Sequence, residues 1–301
     1  MSLKSYFWIF VFFIAVSCQK DVDEFVPLRE TAVQWPEVLY RAPIVRAFDA
    51  GVESEVMLPG GTVLTIPAHS FVDGTGTDID GTAYLVIRDV TKKSDLIFFY
   101  LNSNLDDQPV INHHSLMIKA YADTKPAYLK SGQQIYVRIS MPADTTGKVV
   151  LHGRFDTPDD FAWEAMAGQV ETASWTVNGQ VHTGLEYEVP VLEWIGLGTF
   201  MSVSDAELRV SLRSPIGPEG TKVYFVFKDT FAVVELKQDS DSGIYTGMLP
   251  DGSEGDLVVI QQEDESYRFV KMHLTVDGIE KQTLDPAPMA LDNIVLALNA
   301  L

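Results

Sequence analysis

The chain has 301 residues, 46% of them hydrophobic, with 42 acidic against 22 basic side chains, a formal net charge of −20 and a single cysteine. A body this acidic repels nucleic acid, whose binding depends on Lys and Arg neutralising phosphates, and it does not lie flat on an anionic bilayer. One cysteine excludes a disulfide framework and Cys-based zinc sites, so stability must come from core burial, for which this length is ample.

Residues 1–17 read as a secretory leader: Lys4 supplies a positive charge, Tyr6 to Val16 form an apolar run, and small Ser17 precedes Cys18. A spanning helix needs about 20 apolar residues, so this run is too short to cross a membrane. Ala15-Val16-Ser17-Cys18 resembles a bacterial lipobox, with Ala where Leu is commoner. The resemblance implies cleavage before Cys18 and acylation of its sulfur, which leaves no thiol for catalysis. One acyl chain binds a membrane marginally, whereas two or more hold durably. The following Gln19-Lys20-Asp21-Val22-Asp23-Glu24 resembles the lysine-then-acidic export signal of Bacteroidota surface lipoproteins. It implies an outer-membrane, cell-surface address; a solvated acidic linker is the competing reading. Residues 18–30 carry no period and read as a tether.

From about residue 31 the pattern is β. Ile135, Val137, Ile139 and Met141 alternate with polar neighbours, as do Leu208, Val210 and Leu212, and Val270, Met272, Leu274 and Val276. The near-continuous runs "AYLVI" at 83–87 and "KVYFVF" at 222–227 suit strands covered on both faces. Gly60-Gly61, Asp73-Gly74, Asp80-Gly81, Asn178-Gly179, Asp251-Gly252 and Asp277-Gly278 mark tight turns. No sustained helical stripe is evident, so helix content is expected to be low. Short strands with regular turns predict an all-β chain of two tandem antiparallel sandwiches, 31–203 and 204–301.

"GGTVLTIPAHSFVDGTGTDIDGTAYLVIRDV", Gly60 to Val90, resembles the opening of the β-sandwich module shared by netrin receptors, ankyrins and zonula-occludens scaffold proteins. It is closer still to a recurrent segment of Bacteroidota lipoproteins, matching at Gly61, Thr62, Val63, Ile66, Pro67, Phe71, Val72, Asp73, Gly76 and Gly81. "LEWIGLGTF" at 192–200 is similar to the segment that closes the first part in those proteins, although Gly198-Thr199-Phe200 departs from their usual ending. Residues 222–260 resemble the Ig-like domain that follows. The resemblance implies shape and protein–protein contact, and it supplies no catalytic residues to carry over.

Candidate chemistry is sparse. The sequence holds no G-x-S-x-G elbow, no P-loop and no H-E-x-x-H, and no cofactor is expected. Of the six histidines, only His113 and His114 are close; on a regular strand they point to opposite faces and do not share a metal. Surface or loop positions are the expectation for all six. Asp73, Asp78 and Asp80 form a weak calcium candidate, but a hairpin turn is the preferred reading, because the spacing lacks acids at the third and fifth positions and a distal Glu. Trp163 and Trp175 are the candidate binding aromatics, although core or rim packing is the favoured reading for both because tryptophans are seldom fully exposed, and Trp194 reads as core. With 42 acids, some pair always meets the separations that glycoside cleavage needs, so none can be nominated.

The sequence therefore predicts a lipid-anchored, non-catalytic binding or scaffold module contacting an envelope protein. A glycan-binding lipoprotein of an uptake system is the alternative, and a glycoside-active enzyme a more remote one.

Overall fold

The computed structural model describes residues 42–301, apart from 106–107, 158–159, 178, 203–205 and 214–215. The leader, Cys18 and the tether lie outside the described residues. Among the described residues, no helix is long and apolar enough to cross a membrane.

Two-residue periodicity decides most of the architecture, because successive side chains leave opposite faces of a strand. In Ile135–Ile139 the three aliphatic side chains are buried and Tyr136 and Arg138 are half-buried. In Ala206–Leu212 the same alternation buries Ala206, Leu208 and Val210. Asp251-Gly252 and Asp277-Gly278 turn through left-handed glycines, φ 75° and 60°, and Asp251 Oδ1 accepts from the Gly278 amide at 2.9 Å.

Four sheets result. The first runs Ile44–Asp49, Thr82–Asp89, Gln108–Ala122, Trp194–Phe200, Lys148–Thr157, Asp160–Met166. It faces a second, Val170–Val177, Gln180–Val189, Ile135–Ile139, Val63–Ile66, Ser54–Met57, across a core that includes Leu64, Phe71, Leu85, Ile118, Val137 and Leu185. The third runs Lys237–Gln238, Tyr245–Leu249, Ala206–Leu212, Ile279–Leu284. The fourth runs Val233–Glu235, Thr221–Phe227, Ser253–Glu263, Ser266–Val276, Ala287–Pro288. These two enclose Leu208, Val210, Phe225, Val234, Leu257 and Val276. The chain is thus all-β and built of sandwiches. Among the described residues the strand pairs are antiparallel with one exception, Ala206–Leu212 beside Ile279–Leu284, which run parallel.

Three expectations change on contact with the structure. A third core spans both sandwiches, so they are fused rather than merely consecutive. It joins Met117, Leu151, Trp163 and Trp194 on the outer face of the first sheet to Tyr224, Val226, Val258 and Ile260 on the outer face of the fourth. This explains "KVYFVF": all of Thr221–Phe227 is buried, odd positions inside the second sandwich and even positions at the seam. "AYLVI" differs, because Ala83, Leu85 and Ile87 are buried but Tyr84 is 38% exposed, so only one face of that strand is covered. Finally, the last residues form a helix. Two helices fill the seam, α1 (Lys93–Phe98) and α2 (Leu291–Asn299), and α2 sets Leu291, Ile294, Val295 and Leu298 against the shared core. That is an i, i+3, i+4, i+7 stripe, short enough to escape a reading dominated by strands.

Candidate functional site

The seam holds a cleft of about 510 Å³ lined by Val90, Thr91, Ile111, Asn112, His113, Asp229, Thr230 and Phe231. Each wall has a local cause. Strand Gln108–Ala122 faces Trp194–Phe200 with a register break: His114 pairs with Leu197 and Asn112 with Gly198, leaving His113 as the extra residue of a β-bulge. Bulges bend a strand and re-aim its side chains, and this one delivers His113 to the cleft. Gly198 permits the close packing here. A Cβ on it would lie 2.6 Å from Val110 Cγ1 and 2.7 Å from Leu151 Cδ1.

The opposite wall is the turn between Thr221–Phe227 and Val233–Glu235. It is sewn to the bulged strand by its backbone: the Asn112 amide donates to Phe231 O at 3.0 Å, and the Ser103 amide donates to Val233 O at 2.7 Å. Ser103 Oγ accepts from the Val233 amide at 3.0 Å and from Asn112 Nδ2 at 2.6 Å. Asn112 Oδ1, also buried, has no partner among the described residues. The third wall, Val90-Thr91, leads into α1, whose Lys93 Nζ donates to the carbonyls of Phe227 and Lys228 at 2.5 and 2.6 Å.

Asp229 is the one carboxylate among the described residues of the lining, and Lys93 and Lys228 beside the cleft feel its charge. Burial, and secondarily the Lys148 charge, lowers the His113 pKa, so its imidazole is neutral at pH 7. Burial also lowers the Lys93 pKa, against the attraction of Asp229 and Asp256. Lys228 is held above its ordinary value, first by its hydrogen bond to Glu254. His113 Nε2 lies 2.9 Å from Thr199 Oγ1.

Beneath the bulge lies a second histidine site. His114 Nε2 is 2.9 Å from Thr62 Oγ1 and its Nδ1 2.9 Å from the Tyr187 hydroxyl. Burial pushes the His114 pKa down to about 4 and raises that of Tyr187, with Asp89 adding to the rise. His114 is half-buried, a neutral imidazole braced by two hydroxyls of the first sandwich. The others are elsewhere: His69 pairs with Asp80, His152 with Glu193, and His273 sits between Asp256 and Glu254.

The aromatic binding candidates are corrected. Trp163 and Trp175 are only 2% and 7% exposed, so neither can stack on a ligand at the surface. Trp163 is an anchor of the shared core, meeting Phe161 edge-on at 4.9 Å above the space left by Gly153. Trp175 stacks on His182, its cross-strand partner, at 6.0 Å and packs over Gly184. Alternation within each hairpin turned both rings inward, which composition alone did not reveal. Trp194 is core, 7% exposed.

The calcium candidates are separated by their own partners. Asp73 Oδ1 accepts from the Thr75 amide, the Thr75 hydroxyl and the Thr77 amide, bonds that lower its pKa. Asp78 pairs with Lys130 and Asp80 with His69. Among the described residues no group of three or more His, Cys, Asp or Glu converges as a metal site. The left-handed glycines of this loop are Gly76 (φ 83°) and Gly81 (φ 89°), not Gly74.

The fold thus defines a fused double β-sandwich with a built cleft at its seam. No protein-family model matches the chain, and no curated protein matches it. Among solved structures it is similar to the Bacillus anthracis TIE protein at 10% identity, over 82% of this chain and 41% of that one, with a TM-score of 0.19. The chain spans less than half of that structure, and a likeness this low carries no argument.

Proposed function

We propose that the protein is a non-catalytic, lipid-anchored binding module of the outer envelope, displayed at the cell surface and acting as a scaffold for an envelope protein. The observation that carries this reading is the shared core. Two sandwiches locked through one apolar cluster and several backbone hydrogen bonds present their surfaces in fixed register, and rigid presentation lowers the entropy lost on binding. The lipobox-like Ala15-Val16-Ser17-Cys18 supports an anchor on Cys18, with the acidic stretch after it as a spacer. The resemblance of Gly60–Val90 to the sandwich module of scaffold proteins supports protein contact.

Two measurements test this. Cys18→Ser should move the protein from the membrane fraction to the soluble one. Affinity capture from detergent-solubilised envelopes should then recover one envelope protein in stoichiometric amount with the wild type. Retention of the Cys18→Ser protein in the membrane overturns the anchor. Turnover of a glycan panel, abolished by a single Asp or Glu substitution, overturns the non-catalytic reading.

A further inference from the structure

We propose that the seam cleft binds a neutral, hydroxyl-rich ligand, a carbohydrate ring, gripped by both sandwiches at once. This deepens the binding-module reading and rests on it.

The groups lining the cleft set the chemistry. The Asp229 carboxylate and the Thr230 hydroxyl make no hydrogen bond among the described residues, and His113 engages through Nε2 alone, leaving Nδ1 available. A neutral imidazole offers one donor and one acceptor, a carboxylate accepts, and a hydroxyl does both. Sugar hydroxyls, each both donor and acceptor, satisfy that mixture. Below them, Asn112 is 2% exposed with Oδ1 unpartnered among the described residues, in a class of atom that is nearly always bonded when buried.

Charge selects against an anion. Asp229 is the only carboxylate among the described residues of the lining, and an anion would meet it and a body of net charge −20. Lys93 and Lys228, just outside the lining, already take up part of its field, and the remaining lining groups are neutral hydrogen-bonding or apolar ones, which suit a neutral ligand.

Shape and stiffness agree. Half-buried Phe231, with Ile111 and Val90, gives an apolar wall for the C–H face of a ring. The volume, about 510 Å³, falls within the range of about 300–1,000 Å³ taken by small-molecule sites. The walls are fixed before binding by the Asn112–Phe231 backbone bond and by Lys93, so little order is lost on binding.

The test is calorimetric titration of the full-length protein in detergent with maltotriose, cellotriose, xylotriose, mannotriose and chitotriose, alongside glucuronate and hexylammonium as charged probes. At least one neutral trisaccharide should bind saturably at one site per chain. Asp229→Ala and Phe231→Ala should each weaken it at least tenfold. Exposed Asp229→Ala should leave the melting temperature unchanged, whereas Phe231→Ala, whose ring also packs on the shared core, lowers it and is titrated well below its own melting temperature. No saturable binding of any neutral probe, tighter binding of a charged probe, or affinity within twofold of wild type in both variants overturns the inference. Envelope capture is run on the wild type in parallel. If wild-type sugar binding fails while the captured protein persists, only the ligand assignment falls; if both fail, the module reading falls too.

Discussion

His114 and Tyr187 meet inside the first sandwich, imidazole Nδ1 2.9 Å from the phenol oxygen, with Thr62 Oγ1 closing the other ring nitrogen at the same distance. Thr62 belongs to the Gly-Gly-Thr turn that opens the Gly60–Val90 motif, so the motif's threonine has a physical role, bracing a histidine that reaches it from the strand Gln108–Ala122.

Acid should therefore weaken the fold through His114. Its pKa is about 4 when folded against 6.5 in the free residue, so the unfolded chain binds the proton more readily. The stability held above pH 6.5 declines as pH falls toward 4 and levels off below, a loss of about 3 kcal/mol at about 1.4 kcal/mol per pKa unit. Carboxylates titrate in the same window, so the measurement is the difference between wild type and His114→Gln in urea unfolding free energy at pH 7, 5.5 and 4. That difference should shrink by about 3 kcal/mol across the series. An unchanged gap would sink the assignment.

Gly198 should tolerate no side chain. Its Cβ would press within 2.7 Å of Val110 and Leu151, both fully buried, and overpacking of this kind costs about 1–3 kcal/mol. Gly198→Ala should lower the urea midpoint accordingly. Gly74→Ala is the control: the nearest atom to its Cβ is the Tyr128 ring at 4.0 Å and its φ is not left-handed, so no measurable change is expected.

Lys222 and Glu235 form an ion pair at 2.6 Å, side chains 7% and 13% exposed, beside the seam. Removing one partner of a buried pair strands the other charge, at about 3–5 kcal/mol, whereas replacing both with apolar residues is often neutral. Lys222→Met should destabilise by about 3 kcal/mol, and adding Glu235→Leu should restore most of it. Equal losses in the single and double variants would mean the pair matters for packing and not for charge.

Much of the fold was legible because alternation is a strong signal. Ile135, Val137 and Ile139 were placed inward by period alone, and so were Leu208 and Val210. The seam was not legible. Which strand carries apolar residues on both faces is written in "KVYFVF", yet "AYLVI" looks the same and leaves Tyr84 exposed, because the difference is set by a neighbouring domain. The cleft escaped for a similar reason. His113 reaches it through a bulge whose one-residue slip breaks the alternation that sequence reading relies on, and its partners Asp229 to Phe231 lie over a hundred positions away. Trp163 and Trp175 drew notice because tryptophan is a common binding residue, but a large ring beside a glycine on the facing strand is equally the signature of an anchor.

The shared core makes one further behaviour measurable. The tryptophans among the described residues, Trp163, Trp175 and Trp194, all lie on strands of the first sandwich, so their fluorescence reports it, while far-ultraviolet circular dichroism reports both. If Trp194 and Tyr224 belong to one cluster with α2, the two signals should report a single transition in urea, the coincidence that marks cooperative unfolding. Leu298→Ala then discriminates. Leu298 is fully buried at the end of α2, beyond the second sandwich in sequence, and its truncation should cost about 2–5 kcal/mol. In a fused body the fluorescence midpoint moves by the same amount as the dichroism midpoint, although no tryptophan lies in α2. Two separable transitions, with the tryptophan signal indifferent to Leu298→Ala, would return the molecule to independent beads and leave the cleft without a fixed second wall. Leu296→Ala, 68% exposed on the same helix, should shift neither.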